Sequence, residues 1–216
     1  MTILLLKGAI FLLKFVVYGI PAILAVTVHE FAHGWVANRL GDPTAAREGR
    51  LSINPLRHVD PIGTIAVPAL VYFTSGFFFG WAKPVPVNWR NLGHFRRDVA
   101  LVAVAGPAAN LLMLLAWTCV LLLAQGDPKL GLLRLMGSTG VLFNATIMLL
   151  NLLPIPPLDG SRIVTALLPG RTAVRYNRVE PYGLIILALL LMSGVVGTVL
   201  APGLHGIEQA VNWIIQ

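Results

Sequence analysis

Residues 99–124 contain no charged side chain, and four further stretches, 5–38, 62–80, 135–157 and 181–200, are predominantly apolar. Crossing the hydrocarbon core of a bilayer takes about 20 apolar residues as a helix, the element that satisfies its own backbone groups without water. A chain of 216 residues patterned this way holds five or six apolar segments, the sixth (204–216) short and amphipathic, and leaves little for an aqueous domain. Charged residues make up 12% of the chain and hydrophobic ones 56%, against about 25% charged in a soluble domain, so ordinary globular and disordered classes are excluded. The net charge of +7 does not require a nucleic-acid partner, because membrane proteins concentrate Lys and Arg in cytoplasmic loops. Lys7 and Lys14 flank an apolar start that resembles a secretory signal, but no small-x-small cleavage pattern follows and the segment reads as a retained membrane helix. With Cys119 as the single cysteine, no intramolecular disulfide can form and a metal would have to be held by His and carboxylate.

The chemistry is concentrated at two places. His29-Glu30-Phe31-Ala32-His33 lies inside an apolar run that otherwise reads as continuous helix. On a helix the two His fall one turn apart on one face, so both imidazoles can reach one metal, with Glu30 beside them as a candidate base. At this chain's own His and Glu content the pattern would arise by chance about once in 500 such sequences. Three ionisable residues in an apolar helix are also costly unless paired or ligated. Zinc hydrolases usually use three protein ligands and leave one position for water, so two His are one ligand short. No later His lies in an apolar segment, since His58 and His94 sit in Arg-rich connectors and His205 in the C-terminal stretch. The best buried carboxylate is Asp159, in Asn151-Leu-Leu-Pro-Ile-Pro-Pro-Leu-Asp159-Gly160. Pro154, Pro156 and Pro157 must break the helix there, and irregular backbone at membrane depth belongs where it lines a site. The simpler reading of Asp159 is a cap for the helix that follows.

These motifs resemble the site-2 protease family of intramembrane zinc metalloproteases. The resemblance rests on His29-Glu30-x-x-His33, on the Asn151 to Gly160 motif, on Gly106-Pro107-x-x-Asn110 between them, and on Gly80 to Asn88, which is similar to the membrane-associated extended loop of compact prokaryotic members. It implies one zinc ion per chain held by His29, His33 and Asp159, with Glu30 as catalytic base and Asn151 assisting catalysis. It further implies hydrolysis of peptide bonds in or near transmembrane segments of membrane-protein substrates. Ser161 stands where many relatives have a second Gly, and no insertion is large enough for a PDZ domain.

The expected fold is an all-α polytopic membrane protein with about four full transmembrane helices, a re-entrant segment and a short membrane-associated extended loop. The whole of 1–216 is expected to form one membrane-embedded domain, with core elements 5–40, 99–124 and 135–170. Because the His pair and Asp159 both lie at the C-terminal ends of their segments, those segments must run the same way. One of the two intervening segments then cannot cross, and 62–80, with Gly63, Pro68, Gly76 and Gly80, is the better re-entrant candidate. That topology puts connectors 39–61, 81–98 and 160–180 on one side with twelve of the sixteen Lys and Arg, which makes it the cytoplasmic side of, most simply, a prokaryotic cell membrane. Pro84 and Pro86 at alternate positions suit an edge strand. Gly106 and Pro107 suit close helix packing or a kink, Asn110 an interhelical hydrogen bond, and Trp81, Trp89 and Trp213 interface anchoring. Two other function classes fit the same residues: a membrane metal transporter, which would tolerate Glu30→Gln, and a non-catalytic membrane scaffold, which would tolerate His29→Ala. The expected partners are a substrate with a transmembrane segment and the bilayer; substrate identity and oligomeric state are not encoded in these motifs.

Overall fold

The computed structural model of the chain describes residues 12–66 and 83–216. Helix α1 (Ile20–Arg39) continues from a π-helical turn at Phe15–Gly19. Pro21 has no N–H to give to the carbonyl of Val17, four residues earlier. That carbonyl instead accepts the Thr139 hydroxyl at 2.6 Å, a bond that joins the start of the first span to the third. α1 ends at Leu40 and Gly41, the latter at φ +108, a region that favours glycine.

Helix α2 (Phe95–Leu123) starts where the Asp98 carboxylate reaches back to accept the His94 N–H at 2.7 Å. Helix α3 (Gly131–Asn151) follows a turn begun by Asp127, whose side chain accepts the Lys129 N–H at 2.8 Å. α2 and α3 approach closely because α3 offers glycines to the large side chains of α2. A Cβ on Gly140 would lie 2.3 Å from the Trp117 ring, and one on Gly137 2.8 Å from Leu121. Small residues serve this purpose where lipid gives helices no hydrophobic reason to associate.

Side-chain bonds set the directions. Asn110 of α2 bonds Ala25 of α1 and Asn144 of α3, whereas Val102, earlier in α2, meets His33, later in α1. α2 is therefore antiparallel to α1 and α3, and those two run the same way. Ala37, Leu92, Val99 and Val102 share one buried cluster, so the two flanks of segment 62–80 lie at the same end of the helix trio. Residues 67–82, which carry most of the expected re-entrant segment together with Trp81, lie outside the described residues.

Three helical stretches, Leu12–Arg39, Phe95–Leu123 and Pro128–Asn151, are long and apolar enough to cross a membrane, and a bent pair makes up to a fourth. After α3 come α4 (Asp159–Leu167), α5 (Gly170–Asn177), α6 (Gly183–Met192) and α7 (Val195–Ile214). The expected continuous segment 181–200 is broken. Gly194 takes φ +77 and the axis turns by 74°, so that the second half of that segment and the amphipathic stretch 204–216 form the single helix α7. No strand occurs among the described residues. Residues 83–88 are irregular rather than an edge strand: the Lys83 N–H bonds the His58 carbonyl at 2.9 Å, and side chains of Arg50, Glu30 and Asp42 take up further backbone groups. One apolar cluster (Ala37, Val99, Val102, Ala166) lies below the functional residues and another (Leu114, Leu121, Val141, Ala145, Val211) above them.

Candidate metal centre

His29 and His33 sit one helical turn apart on α1, are 5% and 8% exposed, and face α2. Gly106 makes this possible: a Cβ there would lie 2.4 Å from His33 Nε2 and 2.5 Å from His29 Cε1. The close packing expected of Gly106 is thus packing against the two imidazoles. Each ring is oriented from behind. His33 Nδ1 lies 2.7 Å from the Val102 carbonyl, which can only accept, so Nδ1 carries the proton. His29 Nδ1 lies 2.6 Å from Asn110 Oδ1. The Asn110 amide nitrogen donates to the Ala25 carbonyl at 3.1 Å and to Asn144 Oδ1 at 2.9 Å, which identifies its oxygen as the acceptor facing His29.

Nδ1 is the donor on both rings, which in the neutral imidazole leaves the lone pair on Nε2, and the two Nε2 atoms point at the same place. They are 3.0 Å apart, and Asp159 Oδ2 lies 3.2 Å from His29 Nε2 and 3.3 Å from His33 Nε2. Asp159 Oδ2 is buried without a hydrogen-bond donor among the described residues. Three acceptor atoms converging in an apolar surrounding repel one another unless a cation stands between them. Their spacing approaches the edge of a zinc tetrahedron, about 3.3 Å for bonds of about 2.0–2.1 Å. This donor set, two neutral imidazoles with second-nitrogen hydrogen bonds and one carboxylate, suits zinc.

Asp159 reaches the site because α3 stops at Asn151 and the proline-broken segment returns the chain to the His pair. Asp159 is the first residue of α4, not its N-cap, which is Leu158 without a side-chain bond, so the capping role does not account for it. Gly160 is confined by the Leu152 and Leu153 carbonyls, 2.3 and 2.4 Å from any added Cβ. Glu30 Oε2 accepts the Val85 N–H at 2.8 Å. Of the residues singled out in the sequence, the structure brings His29, His33 and Asp159 together with Glu30 adjacent. Asn151 is bonded back into α3, its amide donating to the Ile147 carbonyl at 3.0 Å. His58 is 3% exposed and bonds the Ser52 carbonyl at 2.8 Å, a packing role within its connector. Asn110 does bond across helices as expected, but it also orients His29. Asn144 and the Val85 N–H went unread; Asn144 could have been noticed as a lone amide in an apolar helix, whereas nothing local marks a backbone N–H.

The peptidase family M50 model matches residues 127–194. The chain is 38% identical over 192 residues to "Putative zinc metalloprotease YwhC" of Bacillus subtilis, covering 86% of this chain and 84% of that protein. It is 31% identical over 180 residues to "Putative zinc metalloprotease Rip2" of Mycolicibacterium smegmatis, covering 79% of this chain and 64% of the relative. To the protein of the same name in Mycobacterium tuberculosis it is 32% identical over 191 residues, covering 85% and 66%. No solved structure matches. A match that runs along most of the chain, joined to apolar helices and a His-His-Asp group, leaves one assignment: the chain belongs to peptidase family M50, the site-2 proteases, and is a multi-pass membrane zinc metalloprotease.

Proposed function

We propose that His29, His33 and Asp159 hold the zinc ion, that Glu30 is the general base, and that the reaction is hydrolysis of peptide bonds in or near transmembrane segments of other membrane proteins. The observation that carries this reading is the convergence of three buried lone pairs beside a carboxylate, within helices apolar enough to span a bilayer. Zinc in such a site supplies Lewis acidity toward the scissile carbonyl and toward the attacking water. Glu30 accepts the water's proton and returns it to the leaving amine. Asn151 uses one amide hydrogen on Ile147, and its second can be offered to the developing oxyanion.

A helical substrate keeps its amides in intrahelical bonds, so it must unwind before attack. The irregular stretches 83–88 and 152–158 flank the site and offer backbone groups to an extended chain. The whole of 1–216 acts as one membrane-embedded catalytic domain. Its active site opens toward the cytoplasm of a prokaryotic cell, the side where connectors 39–61, 81–98 and 160–180 gather twelve of the sixteen Lys and Arg. The test is zinc content together with cleavage of a panel of single-span substrates in liposomes, for wild type, Glu30→Gln and Asp159→Ala. Wild type and Glu30→Gln are expected to hold about one zinc per chain, only wild type to cleave, and Asp159→Ala to do neither. Full activity of Glu30→Gln would overturn the reading.

A further inference from the structure

Asp42 lies three residues beyond the end of α1, outside the metal centre, and is wholly buried. Its Oδ1 accepts the Thr44 N–H at 3.2 Å, the Thr44 hydroxyl, and the Asn91 amide at 2.7 Å; its Oδ2 accepts the Asn88 N–H at 2.7 Å. Burial opposes its ionisation, yet the Thr44 hydroxyl, the Asn91 amide and the two N–H groups hold the carboxyl below the usual carboxylate range. A turn after a helix needs only the two Thr44 bonds. The other two reach 46 and 49 residues along the chain. Arg50, 7% exposed, does the same from the opposite end of that segment, giving Nη2 to the Lys83 carbonyl at 2.8 Å and the Pro84 carbonyl at 3.2 Å.

Between these fastenings the segment crosses α1 at the metal centre. Val85 is 7% exposed and seats in a notch left by Gly34, where a Cβ would lie 2.8 Å from Val85 Cγ1. Pro84 and Pro86 have no N–H, so the stretch 84–86 has a single donor, and it is spent on Glu30 Oε2. Apolar contacts of Val87, Trp89 and Leu92 also hold the segment, but they lack the directionality of the polar bonds at its two ends. A slip of one residue in either direction would bring a proline to Glu30 and leave the carboxylate without its donor.

We propose that Asp42 and Arg50 are positioning residues for the reaction: they fix the register of Lys83–Asn91 on α1 so that the one N–H between the two prolines orients the Glu30 carboxylate. The inference rests on the reading of Glu30 as the base.

The experiment compares wild type, Asp42→Asn, Gly34→Ala and Gly34→Ala/Val85→Ala in liposomes, reading kcat, KM, zinc content and hydrogen exchange of amides 83–91. In Asp42→Asn, kcat falls about 10- to 100-fold, as for a misplaced catalytic group. KM stays within about threefold, zinc is retained and the segment exchanges faster. Gly34→Ala lifts Val85 and lowers kcat in the same way; adding Val85→Ala removes the clash, keeps the N–H and restores kcat. If Asp42→Asn fails to fold, Arg50→Gln, which loses the bonds to the Lys83 and Pro84 carbonyls, is read in its place with the same expected outcome, and the rescue pair shows whether the placement of the Val85 N–H sets kcat. Wild-type kcat in Gly34→Ala, absence of rescue, or loss of zinc in proportion to kcat in a folded variant overturns the positioning role. If Glu30→Gln cleaves like wild type, the functional reading fails, while the exchange data still report whether Asp42 fixes the register.

Discussion

His29 and His33 are oriented from within the helix trio, by the Asn110 side chain, the Val102 carbonyl and the bare face of Gly106, all buried. Glu30, the next residue along the same helix, is held from outside the trio by a backbone N–H on an irregular segment, itself tied down by connector residues. A metal set needs its ligands preorganised against mutual repulsion, and packed helices with satisfied hydrogen bonds supply that rigidity. The Glu30 end depends instead on a segment fastened by a few polar bonds, which opens at lower free-energy cost than a packed helix. Damage to the two sides should therefore separate: one side loses zinc and activity together, the other loses activity and keeps zinc.

The largest effect is expected at the helix side. Gly106→Ala places a methyl 2.4 Å from His33 Nε2, so zinc content and cleavage should both fall to background. Overpacking should cost about 1–3 kcal/mol of stability, measured by thermal unfolding. Glu30→Gln is next, with cleavage reduced by about 10²–10⁴ and zinc unchanged. If it lost zinc as well, the two sides would not be separable. Asn110→Ala removes the partner of His29 Nδ1 and should weaken zinc binding by about 10- to 100-fold in a competition assay with a chelator. Asn144→Ala acts only through Asn110 and should weaken it less; equal effects would mean that the amide pair works as one unit. The smallest effect is expected at the far connector. Asp127→Ala removes a cap on Lys129, costs about 1 kcal/mol, and leaves zinc and cleavage as in wild type.

Much of this was legible beforehand. The apolar spans follow from hydropathy, the His pair from helical spacing, and Asp159 from being the carboxylate next to a proline-broken helix end. The parallel course of α1 and α3 followed from where their ends had to meet. Other features had no local mark. Asp42 carries no local sign of its role because its decisive partners lie at Asn88 and Asn91, and nothing in the motif around Asn151 shows that one of its amide hydrogens is taken by Ile147. The break at Gly194 was hidden because Gly is common in membrane helices, and a single one does not announce a left-handed turn.

By itself the sequence determined that the chain lives in a membrane and that two imidazoles share a helix face, and it singled out Asp159 as a candidate to stand beside them, because periodicity and desolvation cost act over neighbouring residues. Only the tertiary structure decided which nitrogen of each imidazole faces the metal position, which groups hold Asn110, and which backbone N–H holds Glu30. Those choices depend on hydrogen bonds between residues 34 to 85 positions apart, and a donor's partner at such a distance exists only once the helices have packed.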